Sequence, residues 1–178
     1  MRVKGRRKVG RAYSRLGLLP LLLLAGCVAG PATAPTESLI ADRTVYVTRH
    51  MQKLDGTDPG LSAEGIAAAD RLAAVLADKG VTAIYATPTR RAMETAGALS
   101  RRTGVRITSY DPRDPQALVA AAATSKGSIL IVGHSNTVHD IIARFGARNP
   151  PAPLTEQDYG TVFAITLNGE MAVIPLTR

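Results

Sequence analysis

Residues 128–132 read SILIV, and this short run is the part of the sequence that best predicts the fold. The run is almost wholly apolar, which is typical of a strand that is buried on both faces. Such strands occur in largely parallel sheets that helices cover on both sides. Polar residues follow the run at once, in the order Gly133, His134, Ser135 and Asn136. The surrounding sequence should therefore alternate between strands and helices.

Strand patterns recur on both sides of this run. Runs rich in β-branched and aromatic residues predict strands at 44–48, 81–86 and 105–110. Two more apolar runs flank Asn168-Gly169, a dipeptide typical of tight hairpin turns. The closing hairpin predicts an antiparallel edge to the sheet.

Helical patterns lie between the strands. Capping residues, apolar spacing and glycine stops predict four helices, from Ser62 to about Lys79, Thr89 to about Arg102, Pro115 to Thr124, and Ser135 to about Phe145. In the first helix, Ile66, Leu72 and Leu76 form the predicted apolar stripe. Alternating strands and helices predict an α/β fold with a largely parallel sheet.

The positive charge of the chain is concentrated near its start. The 178 residues include 22 Lys or Arg and 14 Asp or Glu, which gives a formal net charge of +8. Seven of the basic residues and none of the acidic ones lie in residues 1–26, so the rest of the chain is almost neutral. We therefore predict no nucleic-acid partner.

Residues 1–26 have the pattern of an export signal. A basic stretch precedes LGLLPLLLLAG, residues 16–26, an apolar run shorter than the ~20 residues that span a bilayer. The run leads into Leu24-Ala25-Gly26-Cys27, which resembles the lipobox of bacterial lipoproteins, where a peptidase cuts before the cysteine and the thiol is acylated. Two alternatives remain open: an ordinary signal peptide with an incidental thiol, or a buried anchor helix.

The lipobox resemblance implies a domain organisation. Residues 1–26 would be the lipoprotein signal peptide, residues 27–41 the lipidated Cys27 with a flexible tether, and residues 42–178 the globular domain. Lipidated Cys27 would anchor the domain to a membrane of the cell envelope, on its extracytoplasmic, periplasmic face. Val28 stands where an Asp would signal inner-membrane retention, which favours the outer membrane in a cell that has one. Since Cys27 is the only cysteine, the fold would depend on its core without disulfides.

Three predicted strands lead into basic side chains. Arg49 and His50 end the first, Arg90 and Arg91 open the helix after the second, and His134 follows the fourth. The carboxyl ends of parallel strands lie along one edge of a sheet, and ligands bind there. Guanidinium groups and helix N-termini at that edge suit a dianion, and phosphate is the obvious candidate.

Four motifs now identify a family resemblance. TRHMQK (48–53), LSAEG (61–65), TPTRRAMETA (87–96) and VGHSNT (132–137), in this order, resemble the histidine phosphatase superfamily, the phosphoglycerate mutase-like proteins. The small size is closer to the compact bacterial phosphohistidine phosphatases than to the mutases. The resemblance implies a three-layer α/β/α sandwich and a metal-independent hydrolase without a cofactor, acting on a small phosphorylated substrate.

The resemblance also implies roles for individual residues. His50 aligns with the nucleophile, Arg49 and Arg91 with the phosphate-binding arginines, and His134 with the second histidine, whereas Arg90 occupies a variable position. A phosphomonoester would be hydrolysed through a phosphohistidine on His50, while Arg49, Arg91 and His134 bind the phosphoryl group. His50 must be neutral to attack, and the nearby positive charges disfavour its protonated form.

The sequence departs from the family motif beside the nucleophile. Met51 replaces the usual glycine, and Gln52 replaces an acidic residue often found next. Asp55 and Asp58, in the loop after His50, are candidate proton donors for the leaving alcohol. Without an acid, phosphoramidates and aryl phosphates would be better substrates than alkyl esters. Two other functions stay open: a protein phosphohistidine phosphatase, and a catalytically silent lipoprotein that binds an anion.

Overall fold

The computed structural model of the protein describes residues 43–176, so the predicted signal peptide, Cys27 and the tether lie outside the described residues. The strands are β1 Thr44–Arg49, β2 Val81–Ala86, β3 Ile107–Ser109, β4 Ser128–Gly133, β5 Thr161–Thr166 and β6 Met171–Pro175. The helices are α1 Ala63–Leu76, α2 Arg90–Thr103, α3 Pro115–Ala123 and α4 Val138–Arg144. In this part of the chain, no helix combines the length and apolarity needed to cross a membrane.

The strands form one mixed sheet in the order β3-β2-β4-β1-β5-β6. The first four strands in this order are parallel to one another. β5 runs antiparallel to β1, and β6 runs antiparallel to β5 through a turn in which Gly169 has a φ of +81°. The prediction of a largely parallel sheet with an antiparallel edge is therefore confirmed.

Helices cover both faces of this sheet. α1 and α2 pack on one face in a core that contains Leu72, Leu99 and Leu130. α3 and α4 pack on the other face, around Ile131 and Ile142. Every residue of β4 is buried, because β4 lies inside the sheet with helices on both sides. This position accounts for the apolar run at 128–132 and confirms the three-layer sandwich.

Several predicted boundaries were wrong. The last helix begins at Val138 and not at Ser135, because His134 and Thr137 close a turn first. In this turn the hydroxyl oxygen of Thr137 accepts from the His134 N–H at 3.0 Å, and the Thr137 N–H donates to the His134 carbonyl at 3.0 Å. The first helix ends at Leu76 and not near Lys79, and β3 is shorter than the predicted 105–110.

Ile66, predicted to share an apolar stripe with Leu72 and Leu76, lies outside the buried face of α1, since it is 52% exposed. The buried face of α1 instead includes Gly65, Leu72 and Leu76. Gly65 lies so close to the loop after β1 that a Cβ atom there would overlap the carbonyl oxygen of Gln52. This close approach fixes the rotation of α1 and turns Ile66 towards solvent.

Replacing Gly65 with alanine should lower the free energy of unfolding by about 3 kcal/mol, because the Cβ would collide with backbone that cannot move alone. Gly97→Ala is the matched control in α2, where the added Cβ would meet only the flexible end of Arg101, at 3.3 Å. That variant should be neutral or more stable by up to about 1 kcal/mol, since alanine favours helix. Urea unfolding would measure both, and equal effects would contradict the proposed contact.

Candidate active site

The sheet register brings the predicted site residues to one edge. Arg49 pairs with Gly133 across β1 and β4, and Ala86 pairs with Val132 across β2 and β4. The three strands therefore end at the same level. The His50 N–H donates to the Gly133 carbonyl at 2.9 Å, which holds the residue after β1 against the residue before His134.

His50 is held in one tautomer by two contacts. Its Nδ1 lies 2.8 Å from the carbonyl oxygen of Met51, so Nδ1–H donates to that acceptor. Its Nε2 then carries the lone pair, and it accepts from Nε–H of Arg91 at 3.1 Å. The ring is 3% exposed. The contacts show an oriented neutral imidazole whose lone pair faces a guanidinium group.

Arg49 is 2% exposed and is held by the loop between α4 and β5. Its Nη1 donates to the carbonyl oxygen of Thr155 at 2.7 Å, and its Nη2 donates to Oε2 of Glu156 at 2.9 Å and to the Tyr159 hydroxyl at 3.1 Å. The guanidinium carbon lies 4.0 Å from the centre of the Tyr159 ring, a cation–π distance. The loop therefore fixes Arg49 beside His50.

His134 completes the set from the end of β4. Its ring centre lies 5.3 Å from that of His50. Its Nε2 shares a hydrogen bond of 2.8 Å with the hydroxyl of Thr87, which is buried at the end of β2. Thr87 thus orients His134 across the sheet edge.

These side chains line an open cavity of about 240 Å³. Its walls are formed by eight residues: Arg49, His50, Lys53, Arg91, His134, Ser135, Asn136 and Glu156. The four residues predicted from three separate motifs are therefore brought together. In residues 43–176, no group of three or more His, Cys, Asp or Glu side chains is placed to hold a metal ion.

The two candidate proton donors lie outside the walls of this cavity. Asp58 accepts from the backbone N–H of Arg90 at 3.0 Å and lies 3.6 Å from Nη1 of Arg91, so it caps α2 and pairs with the arginine from the outer side. Asp55 is exposed in the same loop. Arg90 is exposed and pairs with Glu94 at 2.8 Å, in keeping with its variable position.

The sequence predicted no role for Glu156, Ser135 or Thr87. Oε1 of Glu156 accepts from the Ser135 hydroxyl at 2.6 Å, and its Oε2 accepts from Arg49. Glu156 comes from an irregular loop without periodicity. A buried arginine at a strand end does, however, require acceptors, and the two acidic residues of EQD at 156–158 could have been read as their source.

Burial and positive charge keep both imidazoles neutral. Burial is the main cause that lowers the pKa of His50 to about 4, and the charges of Arg49 and Arg91 add to it. The pKa of His134 also falls to about 4, through burial first and then through the same two arginines. The His50 imidazole therefore keeps its lone pair at pH values well above 4.

We expect His50 and His134 to remain neutral at pH 5.5, and nitrogen NMR of the imidazoles would measure this. A titration midpoint near the unperturbed value of about 6.5 for either ring would contradict the structure. The same shifts affect stability, since the unfolded chain takes up these protons first. Their contribution is fully present above about pH 6.5 and is lost as the pH falls towards 4.

The protein is thus an α/β domain with a polar site at the C-terminal ends of its parallel strands. The site contains an oriented neutral histidine, a second histidine and two arginines. Residues 45–113 match the family model of the histidine phosphatase superfamily (branch 1). This segment is similar to that superfamily, and we class the protein as a hydrolase. The matched residues include Arg49, His50 and Arg91, whereas His134 lies beyond them.

Solved structures confirm the phosphoglycerate mutase-like fold. The candidate phosphohistidine phosphatase SixA of Agrobacterium tumefaciens has 22% identity and a TM-score of 0.57, over 75% of this chain and 96% of that one. A protein histidine phosphatase SixA in complex with tungstate has 17% identity and a TM-score of 0.57, over 74% and 94%. A mycobacterial glucosyl-3-phosphoglycerate phosphatase with inorganic phosphate has 18% identity and a TM-score of 0.57, over 74% and 95%. No curated protein has a significantly similar sequence.

Proposed function

We propose that the protein hydrolyses a phosphomonoester through a phosphohistidine on Nε2 of His50. The observation that carries this proposal is the pair of contacts on that ring, with Nδ1–H on the Met51 carbonyl and Nε2 facing Arg91. Only Nε2 faces the cavity with a lone pair. Attack on phosphorus places positive charge on the imidazole, and the Met51 carbonyl stabilises it through Nδ1–H.

Arg49, Arg91 and His134 bind the phosphoryl group in this proposal. They line the same cavity as His50, and their N–H groups would donate to the equatorial oxygens. Solved structures with tungstate and with inorganic phosphate share the fold, which supports an oxyanion as ligand.

The test is a trapped phosphoenzyme. Incubation of the soluble domain with an aryl phosphate, followed by rapid quenching in base, should leave one phosphoryl group per chain on His50, as measured by mass spectrometry. The adduct should be lost in acid, because a phosphorus–nitrogen bond to imidazole is acid-labile. Turnover without any base-stable adduct, or an adduct on another residue, would refute the proposal.

A protein phosphohistidine phosphatase is the second candidate, and its support is the shared fold with two SixA structures. A phosphohistidine peptide, sugar phosphates, nucleotides and aryl phosphates, assayed side by side, would separate the two activities. The peptide would have to exceed every ester in kcat/KM for this second function to replace the first.

We further propose that Cys27 is lipidated and holds the domain at the extracytoplasmic side of the cell envelope. Only the sequence of residues 1–27 supports this, through its lipobox-like end. In cells fed labelled palmitate, the protein should carry the label and Cys27→Ser should not. Equal labelling of both forms would refute the proposal.

A further inference from the structure

The cavity wall includes the carboxylate of Glu156, which has no role in the reaction proposed above. Glu156 is the acidic residue among the eight that line it, on the wall shared with Arg49, Ser135 and His50. Alkoxide and phenoxide ions are poor leaving groups, so hydrolysis of alkyl and phenyl esters needs a proton donor. The two aspartates near His50 lie outside the cavity walls.

The contacts of Glu156 are those of a group that a phosphoryl anion would replace. Its Oε1 accepts a hydrogen bond from the Ser135 hydroxyl at 2.6 Å, and its Oε2 accepts one from Nη2 of Arg49 at 2.9 Å. Oxygens of a bound phosphoryl group would compete for the same two donors, and a dianion is the stronger acceptor. The Glu156 side chain is 70% exposed, so it can swing away without breaking any packing.

The backbone at Glu156 is fixed independently of its carboxylate. The Thr155 carbonyl accepts from Nη1 of Arg49 at 2.7 Å, and the Thr155 N–H donates to Oδ2 of Asp158 at 2.6 Å. The side chain can therefore exchange partners while its Cα stays at the rim. A displaced carboxyl group would therefore remain at the cavity wall, beside a phosphoryl group bound there.

The displacement also changes the protonation of Glu156. The Ser135 hydroxyl and the Arg49 guanidinium together hold the pKa of the Glu156 carboxyl below its usual range. Once phosphoryl oxygens take these donors, the carboxyl loses that stabilisation and faces a dianion, which raises its pKa. The other charged or titratable groups on the cavity walls are His50, Lys53, Arg91 and His134. Its exposure allows a proton to arrive from solvent.

We propose that Glu156 is the proton donor of the reaction, and that substrate binding releases it from Arg49 and Ser135 for this purpose. The inference rests on the proposed phosphatase function. Nε2 of His50 bonds to phosphorus as the bond from phosphorus to the leaving oxygen breaks, and that oxygen takes the bond's electron pair and the Glu156 proton. Water then attacks phosphorus and gives a proton to the Glu156 carboxylate, while the electron pair of the phosphorus–nitrogen bond returns to His50.

Glu156→Gln tests this step with 2,4-dinitrophenyl, 4-nitrophenyl and phenyl phosphates, whose leaving groups are increasingly basic. The variant keeps the size and acceptor oxygen of the side chain but cannot donate an acid proton. We expect kcat/KM for phenyl phosphate to fall by about 10²-fold or more, and that for the dinitrophenyl ester to stay within about threefold. Tungstate should inhibit the variant at least as strongly as the parent, because the anion then displaces a neutral group.

Asp58→Asn is the matched control. It should lower kcat/KM by the same factor for all three esters, since Asp58 acts through Arg91. A uniform loss in Glu156→Gln would overturn the proposal and leave Glu156 as a positioning residue for Arg49. A loss in Asp58→Asn that grows with leaving-group basicity would overturn it in favour of that aspartate. Failure of the proposed function differs from both, because the unaltered protein would then hydrolyse none of the esters and form no phosphohistidine.

Discussion

Replacement of His50 with alanine is expected to lower kcat for an aryl phosphate by about 10⁴-fold or more, because no other cavity residue can replace a covalent nucleophile. The fold should survive, since the main-chain bond from the His50 N–H to the Gly133 carbonyl is kept. Arg49 keeps its contacts with the loop, and Arg91 keeps its ion pair with Asp58 when the ring is removed. Tungstate should therefore still bind within a few-fold of its parent affinity, and stopped assays with calorimetry would measure the two quantities separately.

His139→Ala is the control for a histidine change nearby. His139 lies in α4 and outside the walls of the cavity, so the variant should keep its activity. Retention of more than about one hundredth of the parent kcat in folded His50→Ala would contradict nucleophilic catalysis by this ring, because removing a nucleophile ordinarily costs far more. Loss of tungstate binding together with activity would instead assign His50 to binding alone.

The four residues of the predicted site could be found because each follows a strand that the sequence makes recognisable. The apolar run at 128–132 indicates burial on both faces, which is typical of strands inside a largely parallel sheet. Parallel strands end together, so Arg49, His50 and His134 had to share an edge. Local sequence and one topological rule were sufficient for this part.

The residues that were missed depend on long-range contacts that no local pattern encodes. Glu156 reaches the cavity from the loop between α4 and β5, 107 positions from the arginine that it contacts. Nothing in the spacing of that loop distinguishes Glu156 from Asp158, which caps its own turn. Ile66 shows the same limitation in the core, because the rotation of α1 is set by one glycine against one carbonyl.

The buried charge of Arg49 connects the local sequence pattern with the long-range contacts of the fold. An arginine that is 2% exposed must have acceptors, and a strand end cannot supply them from its own sheet. The requirement is visible in the sequence, while the identity of the acceptors is visible only in the fold. The same contacts that satisfy Arg49 also place Glu156 at the rim, so the structural need and the proposed proton donor arise from one loop.

Arg49→Ala should therefore reduce both activity and stability, whereas Arg91→Ala should reduce activity alone. Arg49 holds the loop through the Thr155 carbonyl, Glu156 and the Tyr159 hydroxyl, so its loss should lower the free energy of unfolding by about 2–4 kcal/mol. It should also lower kcat/KM by about 10³-fold through the lost phosphoryl contacts. Urea unfolding, limited proteolysis and steady-state kinetics on the same preparation would measure these effects.

Arg91 gives the comparison, because its side chain contacts His50 and the exposed Asp58 but holds no loop backbone in the contacts described above. Its alanine variant should weaken tungstate binding and kcat/KM by about 10²-fold or more, yet unfold within about 1 kcal/mol of the parent. Proteolysis should increase at residues 147–160 in Arg49→Ala and stay unchanged in Arg91→Ala. Equal stability of the two variants would mean that contacts other than the guanidinium of Arg49 hold the loop. Arg49 would then not be the residue that fixes the Glu156 backbone while substrate displaces its side chain.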